Sequence, residues 1–156
     1  MGRGGRIAVE TLGCKLNYAE SSAIAARFEK RAFERVELGD EPDLVIVNSC
    51  TVTENANREC RQIVRRALRS NPDAVVVVTG CSAQLKPQEI AAITGVSYVL
   101  GSVDKHRADE IVVDLEPRSE PSIQVGSLDR DVQFSGAATA PRDARTRSFL
   151  KIQDGC

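Results

Sequence analysis

Four stretches of the chain carry apolar residues in runs: Ile7 to Thr11, Leu44 to Asn48, Ala74 to Thr79 and, more weakly, Ser97 to Leu100. The second and third read Leu-Val-Ile-Val and Ala-Val-Val-Val-Val without polar alternation. Strands buried on both faces have this pattern, so the runs predict a parallel sheet with helices on either side. Helical patterns lie between them. Asn17 is predicted to cap a helix with Glu20 at its third position, running to about Ala32. Thr51 and Glu54 form a Thr-x-x-Glu capping box for a second helix ending near Asn71-Pro72. Shorter helices are predicted over Pro87 to Ile93 and Lys105 to Leu115. Strand and helix alternate with a repeat of roughly 30 residues, the size of a βαβ unit. The fold class is therefore α/β: a parallel sheet of about four to five strands with helices on both faces, occupying residues 1–115.

From Glu116 to Arg147 the periodicity stops. Pro117, Pro121, Pro141, Gly126, Gly136 and many charged residues mark an irregular linker, with one short strand expected over Ile123 to Val125. The last residues, 148–156, read as a new strand running into a Gly155-Cys156 turn, the start of a further domain that is cut there.

Composition narrows the class. Hydrophobic residues are 42% of the chain, but aromatics are only 4% with no Trp, so the core must be aliphatic. A formal net charge of -1 gives no global pull toward nucleic acid or membrane, though a local basic patch remains open. The N-terminus lacks the apolar run of a signal peptide, and the longest apolar stretch, Ala74 to Val78, is far too short to span a bilayer. A cytoplasmic location is expected, with no membrane association. There the five cysteines stay reduced, which leaves metal ligation, catalysis or simple burial.

Three of these cysteines follow predicted strands: Gly13-Cys14 the first, Ser49-Cys50 the second, Gly80-Cys81 the third. In a parallel sheet all three turns emerge at the carboxyl edge, where such folds bind ligands. Three thiolates there can hold a metal or cluster, and Gly13, Ser49 and Gly80 are small enough for close backbone approach. A closed zinc site wants four ligands, often from CxxC pairs, and none is present. Three thiolates with one open position suit a [4Fe–4S] cluster. The competing reading is that the cysteines are small buried hydrophobes.

Cys60 is a contrast. It aligns with Ala56, Val64 and Ala67 on the apolar side of the second predicted helix, so it reads as core. On the same helix Arg58, Arg61, Arg65 and Arg69 line one face, which can grip RNA phosphates or simply be the solvated side of an amphipathic helix. His106, the only histidine, is placed at the start of an exposed helix. Asn17 and Asn48 flank the cysteine turns and can orient them by side-chain hydrogen bonds.

The cysteine segments also carry a resemblance. Thr11-Leu12-Gly13-Cys14-Lys15-Leu16-Asn17 with Glu20-Ser21, then Asn48-Ser49-Cys50-Thr51-Val52-Thr53, then Thr79-Gly80-Cys81-Ser82-Ala83-Gln84 resemble, in order, the three cysteine motifs of the radical-SAM methylthiotransferase family. The likeness covers residues 7–115. The wording of the first motif and of Arg61 to Ala67 is most similar to the branch acting on threonylcarbamoyladenosine in tRNA, rather than the isopentenyladenosine or ribosomal-protein branches.

The resemblance implies that Cys14, Cys50 and Cys81 bind an auxiliary [4Fe–4S] cluster. It implies that Lys151 to Cys156 leads into a CxxxCxxC motif holding a second [4Fe–4S] cluster and S-adenosyl-L-methionine, with Cys156 as first ligand. The implied reaction adds a methylthio group at adenine C2 beside the anticodon, through a 5′-deoxyadenosyl radical and sulfur carried by the auxiliary cluster. The implied partner is tRNA, the expected state a monomer, and the fragment alone is not expected to be catalytically competent. Two alternatives stay open: a colourless α/β binding module with buried cysteines, and a zinc protein using the three thiolates with His106 or water.

Overall fold

The computed structural model describes residues 4–50, 55–127, 137–138 and 150–151. The apolar runs form the strands they predict. Strand β1 is Arg6–Thr11, β3 Leu44–Ser49, β4 Val75–Gly80 and β5 Tyr98–Leu100. Every residue of β3 and β4 is buried, as expected of central strands without alternation. Two short edge strands complete a six-stranded sheet: β2, Glu34–Arg35, and β6, Ser122–Gln124. The sheet therefore has more than the expected four to five strands: the polar β2 carries no apolar run, and the short strand expected over Ile123 to Val125 joins the main sheet as β6.

The strand order is β2-β1-β3-β4-β5-β6, with every pair parallel. The chain steps outward from β1 to β2, then returns to the other side of β1 and proceeds through β3 to β6. This is a doubly wound order, and its direction reverses between β1 and β3. Helix α1, Lys15–Glu29, packs on one face, and α2, Ala56–Ser70, on the other. With α1 lie α5, Ala108–Ile111, and a core of Ile7, Ile24, Phe28, Leu44, Ile46, Val75 and Val77. With α2 lie α3, Cys81–Leu85, and α4, Pro87–Ala91, over Val45, Val47, Cys60, Val64, Val76 and Val78. The alternate residues of each strand thus feed two aliphatic cores.

Boundaries differ from expectation where local chemistry differs. Helix α1 starts at Lys15, with Cys14 as its N-cap, so Asn17 lies inside the first turn and is not the cap. It ends at Glu29 rather than near Ala32. Ala32 takes a φ of 65°, and Phe33 turns back to stack edge-on against Phe28 at 5.3 Å. Helix α2 stops at Asn71 as predicted, but the Thr51 and Glu54 capping box lies outside the described residues. Lys105 to Leu115 is not one helix: a 3-10 turn, Asp104–Arg107, precedes the short α5. The segment read as linker is partly ordered against the sheet. It contributes β6, and the Arg118 guanidinium lies 4.7 Å over the Tyr98 ring. Further on, β7, Ala137–Ala138, pairs antiparallel with β8, Leu150–Lys151, within the final stretch expected to open as a strand. No helix among the described residues is long and apolar enough to cross a membrane.

Three ion pairs fasten α1 and the turn after it to the β5–β6 connection. Asp109, buried, accepts from Arg27 at 2.7 Å and pairs with Arg31 at 3.2 Å. Lys105 Nζ donates to Glu20 Oε2 at 2.5 Å, and both residues are buried. Removing one member of a buried pair strands the other charge away from water, whereas replacing both with apolar residues does not. Lys105→Met is expected to lower unfolding free energy by about 3–5 kcal/mol, and Glu20→Leu/Lys105→Met to recover most of the loss. Denaturant titration of the three proteins checks this; a single-variant loss no greater than that of the double variant contradicts it.

Candidate functional site

The three cysteine turns meet at the point where the strand order reverses. Thr11 pairs with Asn48, Asn48 with Thr79, and Ser49 with Gly80, so the carboxyl ends of β1, β3 and β4 are level. Cys50 and Cys81 each follow the last residue of their strands, and Cys14 lies at the start of α1. Adjacent parallel strands are about 4.8 Å apart, so Cys50 sits between neighbours carrying Cys14 and Cys81.

Glycine is required at two of these turns. Gly13 has a φ of 102°, and a Cβ there would lie 2.6 Å from Cys50 Cβ and 2.8 Å from its Sγ. Gly80 has a φ of 99°, and its Cβ would collide with the Ser49 carbonyl oxygen and reach 2.6 Å from Asn48 Oδ1. The turn after β1 is therefore laid directly on Cys50, and the end of β4 directly on Ser49.

A hydrogen-bond lattice holds the turns from below. Asn17 Nδ2 donates to the Leu12 carbonyl at 2.8 Å and the Ser49 carbonyl at 3.1 Å, joining the ends of β1 and β3. Asn48 Nδ2 donates to the Asn17 carbonyl at 2.9 Å and Ser21 Oγ at 3.1 Å. Ser49 Oγ donates to the Thr79 carbonyl at 2.6 Å, and Ser82 Oγ to the Cys50 carbonyl at 2.7 Å. The orienting role expected of Asn17 and Asn48 is thus seen directly. Ser21 and Ser82 act beside them; short serines in cysteine-containing segments gave no separate sequence signal.

The thiols differ in access. Cys14 is exposed, Cys81 intermediate, and Cys50 only 4% exposed. Among the described residues no three His, Cys, Asp or Glu side chains lie close enough to hold a metal ion. The strand ends bring the three cysteine positions together at one edge of the sheet. Cys14 lines an open depression of about 330 Å³ with Val9, Thr11, Gly13, Lys15 and Tyr18. Three cysteine positions at one strand edge are a donor set that suits an iron–sulfur group, and the buried Asn48 Oδ1 beneath Gly80 has no hydrogen-bond partner among the described residues.

The other candidates separate clearly. Cys60 is fully buried in the α2 core, and burial pushes its thiol up to about 11, opposed by the nearby Arg61 charge. Its reading as core holds. His106 sits half-buried in the 3-10 turn after β5, not on an exposed helix. Arg58, Arg61, Arg65 and Arg69 are all exposed on α2, opposite its buried line. Cys156 lies outside the described residues.

A doubly wound domain with three cysteine turns at its switch point is the class defined by fold and site. The family model described as "Uncharacterized protein family UPF0004" matches residues 6–101, and the chain belongs to that family. It is 37% identical over 96% of its length to a threonylcarbamoyladenosine tRNA methylthiotransferase MtaB of Bacillus subtilis (strain 168), and 36% identical over 97% to the protein of that name from Aquifex aeolicus (strain VF5). It is 27% identical over 96% to a tRNA-2-methylthio-N(6)-dimethylallyladenosine synthase of Syntrophus aciditrophicus (strain SB). It covers 33%, 37% and 33% of these three relatives, so the chain spans about a third of their length. The higher identity to the first two agrees with the branch indicated by the first motif.

The raised Cys60 thiol has a pH consequence. Between the ordinary cysteine value and about 11, the unfolded chain loses this proton and the folded chain keeps it, so folding stability falls as pH rises through that window. Two units correspond to roughly 2–3 kcal/mol. Denaturant unfolding at pH 8 and pH 10.5 is expected to show a steeper loss for the wild type than for Cys60→Ala; equal losses contradict the assignment.

Proposed function

We propose that this chain is the auxiliary iron–sulfur domain of a tRNA methylthiotransferase, with Cys14, Cys50 and Cys81 as ligands of a [4Fe–4S] cluster. The observation that carries this reading is the level placement of three cysteine turns on adjacent parallel strands at the reversal of strand order. The relatives' printed names supply the reaction class and substrate, methylthio transfer to threonylcarbamoyladenosine of tRNA, and the resemblance of the cysteine motifs implies adenine C2 as the position modified. Residues 1–115 form the cluster domain, 116–147 the connection, and 148–156 the beginning of the radical-SAM domain. There Cys156 is the first ligand of a second [4Fe–4S] cluster that works with S-adenosyl-L-methionine. The protein works in the cytoplasm as part of a longer enzyme.

When bound, the auxiliary cluster supplies an open iron at which sulfur is carried. The protein's part is to position and protect. Cys50 provides a thiol held in a buried floor, while the Asn17 and Asn48 lattice keeps the ends of β1 and β3 from separating. Cys14, exposed, and Cys81, half-buried, would complete the ligand set beside Cys50.

Anaerobic reconstitution with iron and sulfide tests the reading on the wild type and on Cys14→Ala, Cys50→Ala, Cys81→Ala and Cys60→Ala. About four irons per chain with visible absorption are expected, lost in the first three variants and kept in the fourth. A colourless wild type removes the cluster assignment. Zinc in its place returns the zinc alternative, and no metal at all returns a binding module with buried thiols.

A further inference from the structure

Helix α2 carries an arginine array that the fold itself does not use. Arg58, Arg61, Arg65 and Arg69 are exposed, and their steps of three, four and four keep them on one face. At 1.5 Å rise per residue the face extends roughly 17 Å. It lies opposite the buried line of Ala56, Cys60, Val64 and Ala67. Arg66 sits on its flank, near enough to the half-buried Glu10 to favour that carboxylate's charge against the effect of burial.

Four arginines elsewhere among the described residues have acidic partners. Arg27 pairs with Asp109 and Glu110, Arg31 with Asp109, Arg107 with Glu110, and Arg118 with Asp114. None of the four stripe arginines has an ion pair among the described residues, and Glu59 is the only acid on their helix. The arrangement works against the helix. Arg61–Arg65 and Arg65–Arg69 are like charges four apart, and Arg58 stands in the first turn, at the positive end of the dipole. An ordinary solvated helix mixes signs and uses lysine freely; this helix has five arginines, four of them on one face, and no lysine. The chain as a whole is nearly neutral, so the positive charge is local. Arginine's planar fork matches phosphate oxygens two at a time, which a lysine ammonium does not.

Placement adds a direction. Helix α2 follows β3 and begins soon after Cys50, so the stripe starts at the cysteine edge and runs away from it along one side of the domain. We infer that the exposed face of α2 binds the phosphate backbone of the RNA substrate, alongside the cysteine edge that faces the base to be modified. The inference rests on the tRNA reading above for the identity of its polyanion.

The test is binding of a fluorescently labelled RNA stem–loop by the reconstituted chain, measured by anisotropy across a salt series, with iron content read on the same samples. Arg61→Gln/Arg65→Gln/Arg69→Gln is expected to weaken binding on the order of tenfold to a hundredfold at low salt. It should reduce the slope of log affinity against log salt by about 2 to 3, since each phosphate contact contributes about 0.7–0.9. Arg61→Lys/Arg65→Lys/Arg69→Lys should retain the slope, and Arg107→Gln, away from the stripe, should change neither quantity. Unaltered affinity and slope in the glutamine variant, at unaltered melting temperature, would overturn the inference, as would a wild type that binds polyglutamate in preference to RNA. Iron loading without RNA binding overturns it and leaves the cluster reading standing. Stripe-dependent RNA binding by protein that takes up no iron supports it while removing the cluster.

Discussion

The backbone register joining β1, β3 and β4 is the constraint from which the site follows. Thr11, Asn48 and Thr79 are hydrogen-bonded abreast in three parallel strands, and a slip of one residue in any strand would turn its buried side chains to the opposite core. Because β3 and β4 are buried on both faces, both cores enforce that register. The level ends of the three strands, and hence the meeting of three cysteine turns, are a by-product of packing side chains in the two cores beneath them. A site built this way depends on the central sheet for its accuracy and on the turns only for its chemistry.

The turns are in turn paired by contacts that tolerate little change. Glycine at 13 allows the turn after β1 to lie on Cys50, and glycine at 80 allows the end of β4 to lie on Ser49. Asn17 reaches across from α1 to both strand ends, while Asn48 reaches back to α1. The helix that starts at Cys14 therefore cannot shift along its axis without breaking bonds in the floor of the site. At its other contacts α1 is pinned by Lys105 to Glu20 and by Arg27 and Arg31 to Asp109. Cys14 can be exposed and still be held by a well-fixed backbone.

Much of this was legible in the residue pattern, for identifiable reasons. The central strands were readable because burial on two faces leaves continuous Val, Ile and Leu runs, and α2 because its buried residues repeat at helical spacing. Of the edge strands, β2 was not, since Glu34-Arg35 is fully polar, whereas β6 falls on the short strand expected over Ile123 to Val125, shifted by one residue. Helix α3 has five residues, too few for periodicity. Asn17 and Glu20 look like a cap and its partner, since short polar side chains serve equally well in a cap and in a buried lattice. Only tertiary placement separates the two roles. The cysteines were identified by position relative to the strands, but their unequal access was not, because it depends on how closely Gly13 approaches Cys50.

Gln84 has a consequence for the chain that follows. Its side-chain amide accepts from Ser102 at 2.8 Å and donates to the Gly126 carbonyl at 3.0 Å, while Asp104 accepts from the Gly126 amide at 3.0 Å. The latch therefore fixes where the chain leaves the sheet after β6: at the rim that carries the three cysteine turns, held there by one neutral and one charged side chain.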